Sequence, residues 1–479
     1  MECWDWEFFS SVVNSDMFSV SDCGSLFGPV QSFKLYRDDE LRIILETTSD
    51  SSSTSSMAEK PAGSVYSPDG MVKFAGVGGG QAIASGVVPL WHQQTYSAEY
   101  RSGLKTERSL IHSLQWSYSE APEPSYIIDW IGNLGSFIWP DSEDRVETGE
   151  KHRILRSKNR AVSIGCPIHS SGFGSTCVYL SIGGVEFFVG KSHVQAKQDE
   201  NHGFILYVGA PNEALREKIR DCLSFCLGNY LLFFGDAKFD SEWHPVSFDA
   251  RSGYALIKES SRLIGIPPSP LGRNYETEIS SDLLERIMGS LYNIYDEYDL
   301  KNGFWNYWYA LAAPVHMQAA HFGAAIESLQ NKYRKKTTKF SSAIITDESQ
   351  WPELYQKLSS FIESASLSAD ERRLLTNKLK TLNNAPQLVV MQRFFEALGL
   401  MLGKLESDAW SNRNRSAHGG PMNANNAVQT IRENKVLRIM LNRILLALGG
   451  GADSYYDYYT LGRPTLALAE SIPDDGVQS

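Results

Sequence analysis

Short apolar runs and alternations in the first half of the chain predict β-strands. Two runs flanking an Asp-Asp-Glu turn, at 33–37 and 41–47, predict a hairpin. Four more predicted strands, separated by glycine-containing segments that favour a meander, lie at 162–166, 176–182, 185–189 and 204–208. The Ser/Thr-rich segment 48–63 and the charged segment 140–152 predict polar loops. Since 213–230 has the apolar spacing of a helix, and a strand follows near 231–234, this half is α+β or mostly β.

The second half has the apolar spacing of amphipathic helices. Helices are predicted from about 282, across 304–333, where Pro314 begins a new helix or kinks a long one, and at 352–364, 368–382, 388–405 and 425–448. This pattern predicts a helical bundle of about 150 residues. The predicted fold class is therefore α+β: a strand-rich N-terminal domain, residues 1–275, followed by an all-α domain, residues 276–479, with its core at about 301–450.

Composition restricts the chemistry. The 479 residues include only six cysteines, without CxxC spacing, so we expect neither a disulfide framework nor a zinc site. No HExxH, GxSxG or complete phosphate-binding loop occurs, and no metal or cofactor is expected. The acidic N-terminus lacks a signal pattern, and no uncharged apolar run approaches the roughly 18 residues of a membrane span. These features predict a cytoplasmic protein without a membrane partner.

One short motif suggests chemistry. Arg413 and His418 form an Arg-x4-His pattern between two strongly periodic helices, directly before a Gly-Gly-Pro sequence. A second Arg-x-His pattern with a longer spacing, Arg145 to His152, lies in the predicted polar loop. Only the position between two helices therefore favours Arg413 and His418 as the functional pair. We expect the preceding helix to end near His418, where a break in the helix lets the two side chains converge.

Metal-free cleavage of an RNA phosphodiester needs such a pair. Histidine can take a proton from the 2′-OH or return one to the 5′ oxygen, and a guanidinium stabilises the phosphoryl charge. A single motif supplies only one histidine, so a two-fold dimer would provide the acid and the base together.

Four features together resemble the HEPN family, and more narrowly the ApeA-like HEPN proteins of bacterial antiphage defence. They are the Arg413–His418 motif with its polar Asn414, the 321–329 segment, the 455–459 tyrosine tail and the strand-rich first half. The resemblance implies a dimeric or higher oligomeric, metal-independent endoribonuclease toxin that causes abortive infection. It would cleave cellular RNA, with transfer RNA as one candidate, and leave 2′,3′-cyclic phosphate ends. The N-terminal domain would be a sensor or regulator that responds to a phage-derived trigger.

The resemblance also implies roles for individual residues. Arg413 would stabilise phosphoryl charge, His418 would be the acid/base, and Asn414 would orient the pair. Glu327 is the only acid between Lys301 and Asp347, and two interpretations stay open: it holds Arg413 or His418 from the neighbouring helix, or it is a carboxylate on the helix surface.

Basic residues predict where RNA would bind. Arg415 and a basic helix end are the candidates, although a solvated helix face is the alternative; the helix end comprises Lys332, Arg334, Lys335, Lys336 and Lys339. The chain carries a net charge of −11, but residues 301–450 hold 19 Lys+Arg and 11 Asp+Glu, a net of +8, which leaves −19 for the remainder. This asymmetry fits an RNA-facing module joined to an acidic one.

Two other functions remain open from the residues alone. The helical domain could be a non-catalytic dimerisation or RNA-binding module, with a partner bound by the N-terminal domain. A metal-dependent hydrolase using scattered carboxylates is the third alternative, although no spacing in the sequence supports it.

Overall fold

A computed structural model gives the fold. The residues that it describes are 13, 18–23, 29–50, 70–76, 79–96, 103–118, 121–135, 137, 139–140, 142–147, 152–165, 173–192, 202–253, 263, 265–272, 278–337, 340–347, 349–413 and 424–474. The chain forms two compact units: a strand-rich unit, Met1–Pro267 with Leu271–Tyr292, and a helical unit, Pro268–Pro270 with Asn293–Ser479. The predicted fold class is confirmed. The predicted domain boundary at 275/276 falls inside the 271–292 stretch that belongs to the strand-rich unit.

Most strands of the strand-rich unit belong to one ten-stranded antiparallel sheet. In spatial order its members are β1 (Phe18–Asp22), β4 (Met71–Gly76), β5 (Gly80–Ser85), β8 (Ser113–Tyr118), β18 (Pro245–Arg251), β17 (Leu232–Phe239), β9 (Tyr126–Gly132), β16 (Gly203–Val208), β15 (Val185–Lys191) and β14 (Cys177–Ile182). Alternate side chains such as Trp116 and Phe248 enter the hydrophobic core, so the opposite face of these strands is free for polar residues.

Two four-stranded sheets complete the core of this unit. One has the order β2 (Val30–Arg37), β3 (Ile43–Asp50), β7 (Gly103–Ile111), β6 (Val88–Tyr96), and the other β12 (Arg160–Gly165), β11 (His152–Ser157), β10 (Ser142–Glu147), β13 (Phe173–Gly174). Leu35 and Leu45 of the first and Leu155 and Ile164 of the second are fully buried in the same core as the large sheet.

Helix α1 (Glu213–Leu227) packs on the large sheet. Asn212 caps its first turn by accepting a hydrogen bond from the backbone N–H of Leu215, at 3.0 Å. Gly228 ends the helix in a left-handed conformation with φ of 71°, which explains why the helix is shorter than the predicted 213–230. Cys222 and Cys226 are buried within this helix, as expected of small apolar residues.

The helical unit consists mainly of helices that follow the predicted spacing. Their bounds are α2 (Ser281–Tyr298, shared with the strand-rich unit), α3 (Leu300–Ala312), α4 (Val315–Lys336), α5 (Gln350–Ser364), α6 (Ala369–Thr381), α7 (Gln387–Ala397), α8 (Lys404–Asn412) and α9 (Ala424–Gly449); β19 (Ser454–Tyr456) pairs with β20 (Thr465–Ala467). Pro314 begins α4 as a new helix. No helix in the described ranges is long and apolar enough to cross a membrane.

Three predictions about the elements are wrong. The predicted helix 388–405 is two helices, because the chain turns at Gly399, whose φ is +71°. The segment 140–152 is predicted to be a loop, but its described residues 142–147 form β10, which pairs with β11 from His152 onward. The predicted four-strand meander includes only β14, β15 and β16, since β12 belongs to another sheet.

Two predicted ends also differ. Residues 48–50, expected in a loop, extend β3, because they pair with residues 104–106 of β7. Helix α8 ends at Asn412, earlier than the end predicted near His418.

Candidate active site around Arg413

Arg413 caps the C-terminal end of α8 and lies against the aromatic ring of Trp410. The guanidinium carbon stands 3.7 Å from the ring centroid, and Nη1 donates a 2.8 Å hydrogen bond to the Trp410 carbonyl oxygen. Trp410 is completely buried, so the ring is a fixed support. Stacking on an aromatic face and bonding to a carbonyl together hold the plane of the guanidinium in one orientation.

Glu327 of α4 provides the second contact to Arg413. Its Oε1 accepts a 2.5 Å hydrogen bond from Nη2 of Arg413, which joins two residues that are 86 positions apart in sequence. The arginine side chain is 8% exposed, whereas the glutamate side chain is 44% exposed. The buried cation is therefore held by a carboxylate that faces solvent on its other side.

Gly323, one helical turn before Glu327, makes room for the arginine. A Cβ atom at this position would lie 3.2 Å from Cδ and 3.6 Å from Nε of Arg413. Sequence reasoning missed this residue as part of the site. The available signal was its spacing, because a small residue four positions before an acid lies on the same helix face.

The other motif residues, Asn414, Arg415 and His418, lie outside the described residues, so the predicted convergence of Arg413 and His418 stays a prediction. The neighbouring Asn412 is described: its Nδ2 donates a 2.9 Å hydrogen bond to Glu433 Oε1 on α9. The end of α8 is thus linked directly to α9, at a position more than two turns into that helix.

The predicted RNA-binding lysines and arginine lie in the last turns of α4. Lys336 pairs with Glu297 at 3.0 Å, and Lys332 lies 3.7 Å from Asp299, while Arg334 donates to Ser342 Oγ at 2.7 Å. Lys335 is exposed, and Lys339 lies outside the described residues. Lys335 follows Glu327 by eight residues, about 12 Å along the helix axis. The basic end of α4 therefore lies about two helical turns beyond the Glu327–Arg413 pair on the same helix.

The tyrosine tail is part of the packing of the helical unit. Tyr455 and Tyr458 are buried, and burial raises the pKa of both phenols well above the ordinary value. Asp457 is fully buried and accepts hydrogen bonds from the backbone N–H groups of Tyr459 and Thr460. The tail therefore stabilises the unit and does not line the Arg413 site by any described contact.

Comparison with known proteins adds no family to this geometry. Neither a family model, nor a curated protein, nor a solved structure matches the chain.

The Arg413 site has the chemistry of an anion site. Arginine keeps its charge at every accessible pH, and its five N–H donors suit phosphate oxygens. Within the described ranges, no group of three histidine, cysteine, aspartate or glutamate residues is arranged to hold a metal ion. The residues brought together here, Arg413, Glu327, Trp410 and Gly323, can orient a cation towards a phosphate.

Proposed function

We propose that this protein is a metal-independent endoribonuclease of the HEPN type, acting in the cytoplasm as an effector of bacterial antiphage defence. The observation that carries the proposal is the oriented guanidinium of Arg413, held between Trp410 and the half-exposed Glu327 directly before the segment with His418. An arginine fixed in this way can stabilise the charge that gathers on phosphoryl oxygens during cleavage without reorganising first.

The proposed reaction needs two proton transfers. His418 takes the proton of the 2′-OH, the 2′ oxygen attacks phosphorus, and the bond to the 5′ oxygen breaks. His418 of a second copy donates the proton to that leaving oxygen, which leaves a 2′,3′-cyclic phosphate and a 5′-OH. A homodimer that brings two motifs into one cleft therefore forms part of the proposal.

The test of the mechanism compares substitutions in the motif with matched changes elsewhere in the helical unit. His418→Ala and Arg413→Ala should each lower cleavage of a labelled RNA by at least a hundredfold, since each removes one catalytic contribution. His316→Ala and Arg373→Ala, at exposed positions on α4 and α6, should leave the rate unchanged. Cleavage should continue in EDTA, and mass spectrometry should find cyclic phosphate ends. Full activity in His418→Ala would overturn the proposal.

Glu327 is proposed as a positioning residue. Glu327→Gln keeps the size of the side chain and loses its charge, so the guanidinium is held less firmly. We expect kcat to fall about tenfold with little change in KM, and Glu327→Asp to recover part of the loss. If Glu327 only stabilised the fold, kcat of the folded variant would match that of the unsubstituted protein.

A second candidate function, a non-catalytic interaction module, is favoured by a different surface. Helix α5 has no buried side chain, and α5 and α6 expose large apolar residues, among them Phe361 at 72% and Leu374 at 58%. Exposed apolar residues in a group are typical of a contact surface. If the chain acts only through this surface, Phe361→Glu should abolish self-association measured by light scattering, while Arg413→Ala and His418→Ala have no effect beyond stability.

A further inference from the structure

A polar cleft of about 340 Å³ lies on the large sheet of the strand-rich unit. Its floor consists of cross-strand neighbours from β5, β8, β17 and β18, and its wall includes Glu213 and Arg216 of α1. On the floor Asp236 pairs in register with Asp249, and two residues further along β17 Lys238 pairs with Ser247. Side chains directly opposite each other across strands stand about 5 Å apart, so the two carboxyl groups are neighbours.

Buried polar atoms in this cleft lack partners. Among the residues that the structure describes, Oδ1 of Asp236 and Oδ1 of Asp249 accept no hydrogen bond, and Nε of Arg216 donates none. Their other atoms are occupied: Asp236 Oδ2 accepts from Arg216 Nη2 at 2.9 Å, and Asp249 Oδ2 accepts from Arg251 at 3.0 and 3.2 Å. Asp236 is only 4% exposed. A buried carboxylate oxygen without a donor is costly unless a ligand supplies one.

The charges of the cleft favour a ligand that carries both a positive and a negative group. Burial raises the pKa of Asp249 above its ordinary value, and Asp236 and Glu213 raise it further, while Arg251 opposes the rise. The acids and bases that line the cleft balance, because Glu213, Asp236 and Asp249 stand against Arg216, Lys238 and Arg251, so the cleft suits a donor group carried by a ligand that also bears a negative group. A metal ion is less suitable, because the described residues contain no cluster of three metal-ligating side chains.

Lys238 adds a positive group to the same floor. It lines the cleft and makes no ion pair or hydrogen bond with a described residue. It stands two residues after Asp236 on the same face of β17, about 7 Å along the strand. The floor therefore offers two acceptor oxygens at one end and an ammonium group at the other.

We propose that this cleft binds a small organic zwitterion, whose ammonium or guanidinium group donates to Asp236 and Asp249 and whose carboxylate faces Lys238. The volume suits a ligand of amino-acid size. The proposal rests on the strand-rich unit alone and does not depend on ribonuclease activity of the helical unit.

Calorimetric titration of the full-length protein tests the cleft. L-Arginine, which carries all three charged groups, is the first probe, and agmatine, which lacks the carboxylate, is the second. L-Arginine should bind saturably, and Asp249→Asn should weaken it at least tenfold. The matched change Asp282→Asn, at an 86% exposed position, should leave the affinity unchanged.

Lys238→Met tests the positive end of the cleft separately, at a part-exposed residue. It should weaken L-arginine about tenfold without weakening agmatine, so that L-arginine loses its advantage over agmatine. Absence of saturable binding, or equal affinity in Asp249→Asn, overturns the proposal. Saturable binding of Mg²⁺ that Asp249→Asn abolishes, without binding of either organic probe, would also overturn it and would indicate a site for a metal ion.

Discussion

Replacing Arg443 with methionine should destabilise the helical unit more than any single change on its surface. Arg443 and Glu406 are both completely buried, and Nη1 of the arginine donates to Oε1 of the glutamate. The guanidinium also donates to the carbonyl oxygens of Met401, Leu468 and Ala469, at 3.1 to 3.2 Å. One side chain of α9 thus connects the first turn of α8 with the segment that follows β20.

The expected loss follows from what remains after the substitution. Glu406 also accepts a 2.5 Å hydrogen bond from the backbone N–H of Gly403, but it would keep a buried charge without a counter-ion. Removing one partner of a buried ion pair costs about 3–5 kcal/mol. Methionine retains most of the apolar stem, so we expect about 4 kcal/mol at pH 7 with little contribution from a cavity.

The loss should depend on pH with a definite sign. Burial raises the pKa of Glu406 even beside Arg443, and removing the arginine raises it further. Because this pKa lies above the unfolded value, the penalty is present at pH 7 and shrinks as the pH falls through the folded pKa. Each unit by which the folded-state pKa of Glu406 exceeds its unfolded-state pKa lowers the free energy of unfolding at high pH by about 1.4 kcal/mol.

Hydrogen exchange measured by mass spectrometry checks this prediction within the helical unit alone. Opening free energies of α8 and α9 amides should fall by about 4 kcal/mol at pH 7 and recover part of that at pH 5. The double variant Arg443→Met, Glu406→Leu should recover most of it at both pH values, since no charge remains. A loss below about 1 kcal/mol, or one identical at both pH values, would refute the reasoning.

Three further predictions follow from single contacts. Gly228→Ala should lower the unfolding free energy by at least about 2 kcal/mol in thermal unfolding, because φ is +71° and a Cβ would stand 2.3 Å from a backbone carbonyl oxygen. Hydrogen bonds from Ser368 lower the pKa of Glu371, so protection of α6 amides should be full above the unfolded pKa and decline as the pH falls through the folded value. Ser368→Ala should weaken this dependence without removing it, because the backbone N–H of residue 368 still donates to Glu371. Gly323→Val should reduce the proposed RNA cleavage at least tenfold by displacing Arg413, and an unchanged rate would contradict that geometry.

The sequence predicts long helices better than short strands for a physical reason. Helices α4 and α9 have many apolar residues at one spacing, so that the pattern identifies them without knowledge of their partners. Strands β10 and β11 have no such pattern. Asp144, fully buried, pairs with Arg153 through two hydrogen bonds of 2.7 and 2.8 Å. This buried pair takes the place of the apolar alternation that marks most strands, and a buried ion pair has the same sequence signature as a charged loop.

The candidate site could be predicted only in part. The unusual isolation of Glu327 in an apolar helix indicated a partner on a neighbouring helix, and the structure brings it to Arg413. The role of Gly323 depends on a contact 90 positions away, which no local pattern contains. The unpartnered oxygens near Asp249 could not be predicted at all, because they depend on the register between β17 and β18.

Three groups of arginine and carboxylate can be ordered by how completely they are satisfied. Arg443 and Glu406 have no exposure, and three carbonyl oxygens accept from the arginine, so nothing is left for a ligand. Near Asp249 a buried carboxylate oxygen has no donor among the described residues, which leaves an acceptor for the proposed ligand. Arg413 stands between these cases, because Glu327 is 44% exposed. The described contacts use two of the five N–H donors of the Arg413 guanidinium, one to Glu327 and one to the Trp410 carbonyl oxygen. A phosphate can therefore bind the remaining donors while Glu327 keeps the guanidinium in place.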